Sequence, residues 1–181
     1  MNKLTSATAT IIALVALVAA PVVARAADDQ ADTSGVTATF EGQTFDMSTG
    51  WGSPRARPDI QACHVTETTA DCYRSEADMN VALSEASPTA VLAANCGSTL
   101  RLYDGTSHTG AVLSLSQRGS ILSLSTYGFD NRTSSYRVGA CSSTFYNGIG
   151  SSPYPGNTSA WASASSMYSG WNNTISSVYL S

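Results

Sequence analysis

The sequence predicts a mainly β protein, with an all-β sandwich or barrel in its C-terminal half. Three observations predict it. Short apolar runs of strand length recur between turn residues: Leu100-Leu102-Tyr103, Val112-Leu113-Leu115, Ile121-Leu122-Leu124 and Tyr136-Val138. That spacing suits antiparallel strands and not alternating strand–helix units. Helical periodicity is weak throughout this part. Finally, the stretch from Phe129 to Val138 (FDNRTSSYRV) recurs 42 residues later, from Trp171 to Leu180 (WNNTISSVYL). A duplicated motif of this kind means two related supersecondary units sharing one core.

The chain opens with a pattern expected of a secretory signal peptide, residues 1–26. Met1-Asn2-Lys3 is a positive n-region, Ile11 to Ala20 an apolar stretch, and Ala24-Arg25-Ala26 a small-residue cleavage site. A secreted, extracellular protein is expected, with no membrane attachment after cleavage. Residues 27–35 (ADDQADTSG) are acidic and polar and read as a flexible tail.

Removing the leader removes Lys3, the only lysine, and leaves an acidic chain with arginine as its strong base. Such a chain lacks the basic footprint of a nucleic-acid binder. It suits a soluble exported protein that attracts cations. A monomer is expected.

Residues 36–93 read as a small module. Val36 to Phe40 and Gln43 to Met47 flank a Glu41-Gly42 turn and form a hairpin. Cys63-His64-Val65 and Cys72-Tyr73 are two short strands that a disulfide could staple. Ser75-Glu76-Ala77-Asp78 is a capping-box pattern ahead of Met79, Val81, Ala82 and Leu83, which places a short helix there. Ser87-Pro88 ends it. The second part, residues 94–181, is the β-rich one.

Four cysteines in an exported chain read as two disulfides, with three possible connectivities. Cys63–Cys72 and Cys96–Cys141 is the favoured pairing, the latter because both residues precede equivalent strands of the two repeats. No C-x-x-C pair supports zinc.

The repeated hexapeptides resemble the calcium motif of microbial βγ-crystallins: two Asp/Asn residues, two variable residues, Ser or Thr, then Ser. Asp130-Asn131-Arg132-Thr133-Ser134-Ser135 fits at every position, as does Asn172-Asn173-Thr174-Ile175-Ser176-Ser177. Tyr103 to Gly110 resembles the family's aromatic hairpin signature, with His108 at the second aromatic position. The second repeat offers Phe145-Tyr146 and Tyr154-Pro155-Gly156 across a longer loop. The resemblance implies a double Greek-key βγ-crystallin-like sandwich, preceded by the disulfide-stapled hairpin and short-helix module.

It also implies calcium as cofactor, bound in sites shared between the repeats. Asn131 and Asn173 would contribute side-chain oxygens, Ser134 and Ser176 hydroxyls, and Arg132 and Thr174 main-chain carbonyls. Asp130 and Asn172 complete the Asx pairs, and a further carbonyl would come from near Thr106. Ser135 and Ser177 are expected to hydrogen-bond the folded-over hairpins. Calcium takes six to eight hard oxygen ligands, which this residue set can offer. The alternative is that the hexapeptides serve only as turns, since Asn, Asp and Ser are ordinary turn residues.

Catalytic residues are not expected. The chain has no G-x-S-x-G elbow and no H-E-x-x-H. His64, with Glu67 nearby, reads as a surface residue of a disulfide hairpin, and His108 as a half-buried residue over its own hairpin. The tyrosines, with Trp161 and Trp171, could form a sugar-binding surface or fill a small β core. A non-catalytic, calcium-stabilised protein is the leading reading. A small secreted bacterial metalloproteinase inhibitor also has a crystallin-type fold with two disulfides, so inhibition of a secreted protease through the Asn147–Pro155 loop is a rival. A killer-toxin-like effector is a third.

Overall fold

The computed structural model describes residues 35–86 and 98–181. The expected signal peptide, nearly all of the acidic tail, the Ser87-Pro88 helix stop and Cys96 with its bond to Cys141 lie outside these residues.

Residues 98–181 form two Greek keys that exchange their third strands. The first key begins with β5 (Leu100–Tyr103) and β6 (Val112–Leu115), an antiparallel hairpin. β7 (Ile121–Ser123) crosses to the second sheet, and β8 (Ser135–Arg137) returns beside β5. The second key repeats the path. β9 (Ser143–Asn147) and β10 (Ser152–Pro153) pair, β11 (Ser163–Ala164) crosses to β8, and β12 (Ser177–Leu180) returns beside β9. The smaller sheet thus runs β10-β9-β12-β7. This is the double Greek-key sandwich that the resemblance implies, built from the two related units that the duplicated sequence predicts.

Residues 35–86 extend the same architecture. The hairpin of β1 (Thr37–Phe40) and β2 (Gln43–Asp46) turns at Glu41 and Gly42, both with positive φ. Two positive φ values give a turn whose twist matches that of the strands. β3 (Ala62–Val65) and β4 (Ala70–Tyr73) pair antiparallel with Cys63 opposite Cys72, and the two are disulfide-bonded. β3 then lies parallel to β6, so the larger sheet has eight strands in the order β11-β8-β5-β6-β3-β4-β1-β2. The module is therefore continuous with the Greek-key sheet through its backbone hydrogen bonds.

The inner face of that sheet is covered along its length, and its outer face at β3, β5 and β6. Leu100, Leu102, Leu113, Leu115, Cys63 and Val65 face the main core with Phe129, Phe145, Ile175 and Val178. The opposite face carries Ala62, Tyr103 and Val112, which pack with Met79 and Leu83 of α1 (Glu76–Ala86). Ser75 caps this helix as expected, its Oγ accepting the Asp78 amide N–H at 3.1 Å. Tyr103 donates to Glu76 Oε1 at 2.8 Å, which ties helix to sheet. Burial and that bond push the Tyr103 hydroxyl up to about 12.

His64 departs from the surface position expected of it. It is buried, and its Nδ1 shares a hydrogen bond with Ser114 Oγ at 3.2 Å. The reason is tertiary: β3 is an inner strand of an eight-stranded sheet and not a free hairpin. Burial, and secondarily the Arg101 charge, lower its pKa.

Candidate metal centre

Each hexapeptide forms the tight corner ahead of the returning strand of its key. Asn131 and Asn173 both adopt left-handed backbone, with φ of 55° and 57°. Asn tolerates this region better than most residues because its short side chain bonds locally. The corner then faces the opposite repeat. The Asn131 amide donates to the Ile175 carbonyl and the Asn173 amide to the Thr133 carbonyl, both at 3.0 Å.

The side chains follow the same two-fold relation. Ser134 Oγ donates to Asn173 Oδ1 at 3.0 Å, and Ser176 Oγ to Asn131 Oδ1 at 3.4 Å. Asp130, which is exposed, accepts from Asn131 Nδ2 at 3.0 Å. That contact turns Asn131 Oδ1 toward Ser176. Ser134 is buried, whereas Asn131 and Asn173 are exposed, so each pair of oxygens has an open side.

The donor set fits a hard cation. Two oxygens each about 2.4 Å from calcium and at right angles to one another are about 3.4 Å apart. The Asn–Ser spacings are of that size. Neither the Arg132 nor the Thr174 carbonyl accepts a hydrogen bond from any described residue. The Thr106 carbonyl accepts the Thr109 hydroxyl at 2.7 Å, so one of its lone pairs is already engaged. Asn172 is exposed. Among the described residues no group of three His, Cys, Asp or Glu side chains gathers anywhere, and the oxygens in this site are nearly all neutral.

Beneath the corners, the hairpins are fastened as expected. Ser135 Oγ donates to the Gly105 carbonyl at 2.6 Å and accepts the His108 amide at 3.1 Å. Ser177 Oγ donates to the Gly148 carbonyl at 2.7 Å and accepts the Gly150 amide at 3.2 Å. Each serine therefore replaces two hydrogen bonds that the folded-over loop would otherwise seek from water. His108 lies half-buried, its ring edge-on to Tyr103 at 5.3 Å. In the second repeat the longer loop closes as a hairpin whose Tyr154 turns into the core. Its ring stacks on Phe145 and meets Trp171 edge-on.

No family model and no curated protein matches the chain. One solved structure is similar to it. This is a βγ-crystallin from Ciona intestinalis, 19% identical, with a TM-score of 0.39, which covers 46% of this chain and 99% of its own.

Sequence reasoning missed what supports the first corner from the other side. Trp51, fully buried, lies 5.7 Å from Phe129 between ring centroids, and its indole N–H donates to the Tyr127 carbonyl at 2.8 Å. The Arg132 side chain runs inward to the Trp51 and Gly128 carbonyls, both at 2.9 Å, and pairs with Asp104 at 2.8 Å. Gly128 is required here. Its φ is +63°, and a Cβ would stand 2.2 Å from the Met47 carbonyl oxygen. The available signal was Trp51 itself, a large apolar residue between Gly50 and Gly52.

Proposed function

We propose that this is a secreted, non-catalytic calcium-binding protein of the βγ-crystallin type, in which the ion stabilises the double Greek key. The observation that carries the reading is the reciprocal approach of Asn131 to Ser176 and of Asn173 to Ser134. Two oxygen-rich corners, one per repeat, each borrow a hydroxyl from the other. A cation held there would join the repeats and favour the folded state by mass action. Asp130 is the single carboxylate of the two hexapeptides, so affinity falls toward the weak end, Kd about 10⁻⁵ to 10⁻³ M. Bulk extracellular calcium occupies sites of that strength. Calorimetric titration of the protein with calcium tests this directly. Saturable binding of up to two ions, with a melting temperature raised over that in chelator, is expected. Absence of both would leave the hexapeptides as turns.

A second reading, inhibition of a secreted metalloprotease, is favoured by one feature. Ile149 is 72% exposed at the tip of the β9–β10 hairpin, within the Asn147–Pro155 loop. Because Tyr154 is buried, the residues to vary are Ile149 and Pro153. Inhibition of secreted metalloproteases that is lost in Ile149→Ala would support this reading.

A further inference from the structure

On the outer face of the larger sheet, away from the main core, a cleft of about 380 Å³ opens between the β5 and β8 strands and the segment before β11. Its size falls within the range of small-ligand sites, roughly 300–1,000 Å³. Three residues on its floor lie directly opposite one another across three strands: Arg101 faces Arg137, and Arg137 faces Ser163. Like charges directly opposed across a sheet are destabilising. Only one of the two is compensated. Arg101 pairs with Glu76 at 2.5 Å and bonds Asn80 Oδ1 at 2.7 Å. Arg137 is exposed, rests near the Tyr103 ring at 5.7 Å, and has no carboxylate partner among the described residues.

The wall is Trp161. Its indole is 64% exposed, the largest exposed side chain of the described residues. Its φ is +64°, a conformation that bulky residues rarely adopt. It is held there by hydrogen bonds on both sides: its own amide donates to the Gly139 carbonyl, and the Val138 amide to the Ala162 carbonyl. A strained backbone that presents a large apolar ring to water, beside an uncompensated guanidinium, is an arrangement found at ligand sites.

We propose that this cleft binds the acidic sugar unit of a glycan, a uronic acid residue. The carboxylate would take the two parallel N–H bonds of the Arg137 guanidinium and relieve its repulsion with Arg101. The apolar face of the pyranose ring would lie on the Trp161 indole. Ser163 Oγ, already 3.1 Å from His108 Nε2, is placed to meet a ring hydroxyl. An acidic peptide would satisfy the charge but leave the indole face uncovered. A neutral sugar would leave Arg137 uncompensated. None of these residues belongs to the metal centre.

The test is calorimetric titration with tetragalacturonate, run in EDTA because uronates themselves bind calcium. Saturable binding is expected, weakened about tenfold or more by Arg137→Ala and by Trp161→Ala, and less by Arg137→Lys. Both residues are exposed, and circular dichroism of each variant checks that it still folds. A neutral galactose tetramer and a tetraglutamate peptide should bind at least about tenfold more weakly. No saturable binding of tetragalacturonate overturns the proposal. So does equal affinity for the neutral tetramer or the peptide, or unchanged affinity in the two alanine variants.

Discussion

Asn173 accepts a hydrogen bond from Ser134 at 3.0 Å, across the boundary between the two repeats. Its counterpart, Asn131 with Ser176, is longer at 3.4 Å. Without metal, each contact is an ordinary polar bond worth about 1 kcal/mol. Ser134→Ala is therefore expected to cost about 1 kcal/mol in chelator, and Asn173→Ala about 1–2 kcal/mol more, because alanine tolerates the left-handed φ of 57° less well than asparagine. Each should also remove one calcium-binding event. Denaturant unfolding with and without calcium separates the two effects. A double-variant cycle should give a coupling near 0.5–1.5 kcal/mol that grows when calcium is present.

Ser135 and Ser177 each serve two backbone groups of a folded-over hairpin. Replacing either by alanine leaves a carbonyl and an amide short of a partner. A loss of about 1–3 kcal/mol is expected for each, with the denaturant slope unchanged. Calcium binding should persist in these variants, though at a lower melting temperature.

Trp51 belongs to the N-terminal segment yet packs on Phe129, the residue just ahead of the first hexapeptide corner. Trp51→Ala is expected to destabilise by about 3–5 kcal/mol. Because the segment shares one sheet and core with the Greek keys, unfolding followed by fluorescence and by far-ultraviolet dichroism should remain one transition. Two separated transitions in the parent protein would show that the segment unfolds on its own.

His64 gives a pH dependence whose sign follows from its burial. The folded state lowers its pKa below the ordinary value of 6.5, so the unfolded chain binds the proton more readily. The stability it contributes is present above about pH 6.5 and is lost as pH falls through the lower folded pKa. His64→Gln keeps a partner for Ser114 but cannot titrate. Melting temperatures of parent and variant should therefore diverge on acidification from pH 7 to 4.5, with the parent falling faster. Parallel curves would mean that His64 is free to take up its proton in the folded state.

Much of this architecture is legible in local sequence. The Glu41-Gly42 turn, the opposition of Cys63 and Cys72, the Ser75 cap and the four strands of the first key depend on neighbours within about ten residues. Turn chemistry and alternation decide such features before any tertiary contact forms. The duplicated hexapeptides were legible for the same reason, since a left-handed Asn followed by Ser-Ser is a local device. The partner of each corner is not a local feature: that Asn131 meets Ser176, 45 positions on, was expected only from the resemblance, which implied sites shared between the repeats.

The amino-acid sequence by itself determined that the chain is mainly β, that its C-terminal half is duplicated, and which oxygen-bearing residues occupy the corners. Tertiary structure alone decided that the N-terminal strands join the Greek-key sheet, that His64 is buried and that Arg101 faces Arg137. The division has a physical cause. Turns, caps and alternation are set by dihedral preferences and short-range hydrogen bonds, whereas strand pairing between distant segments is chosen by the burial of whole faces. A parallel match such as β3 with β6 leaves no local mark on either strand.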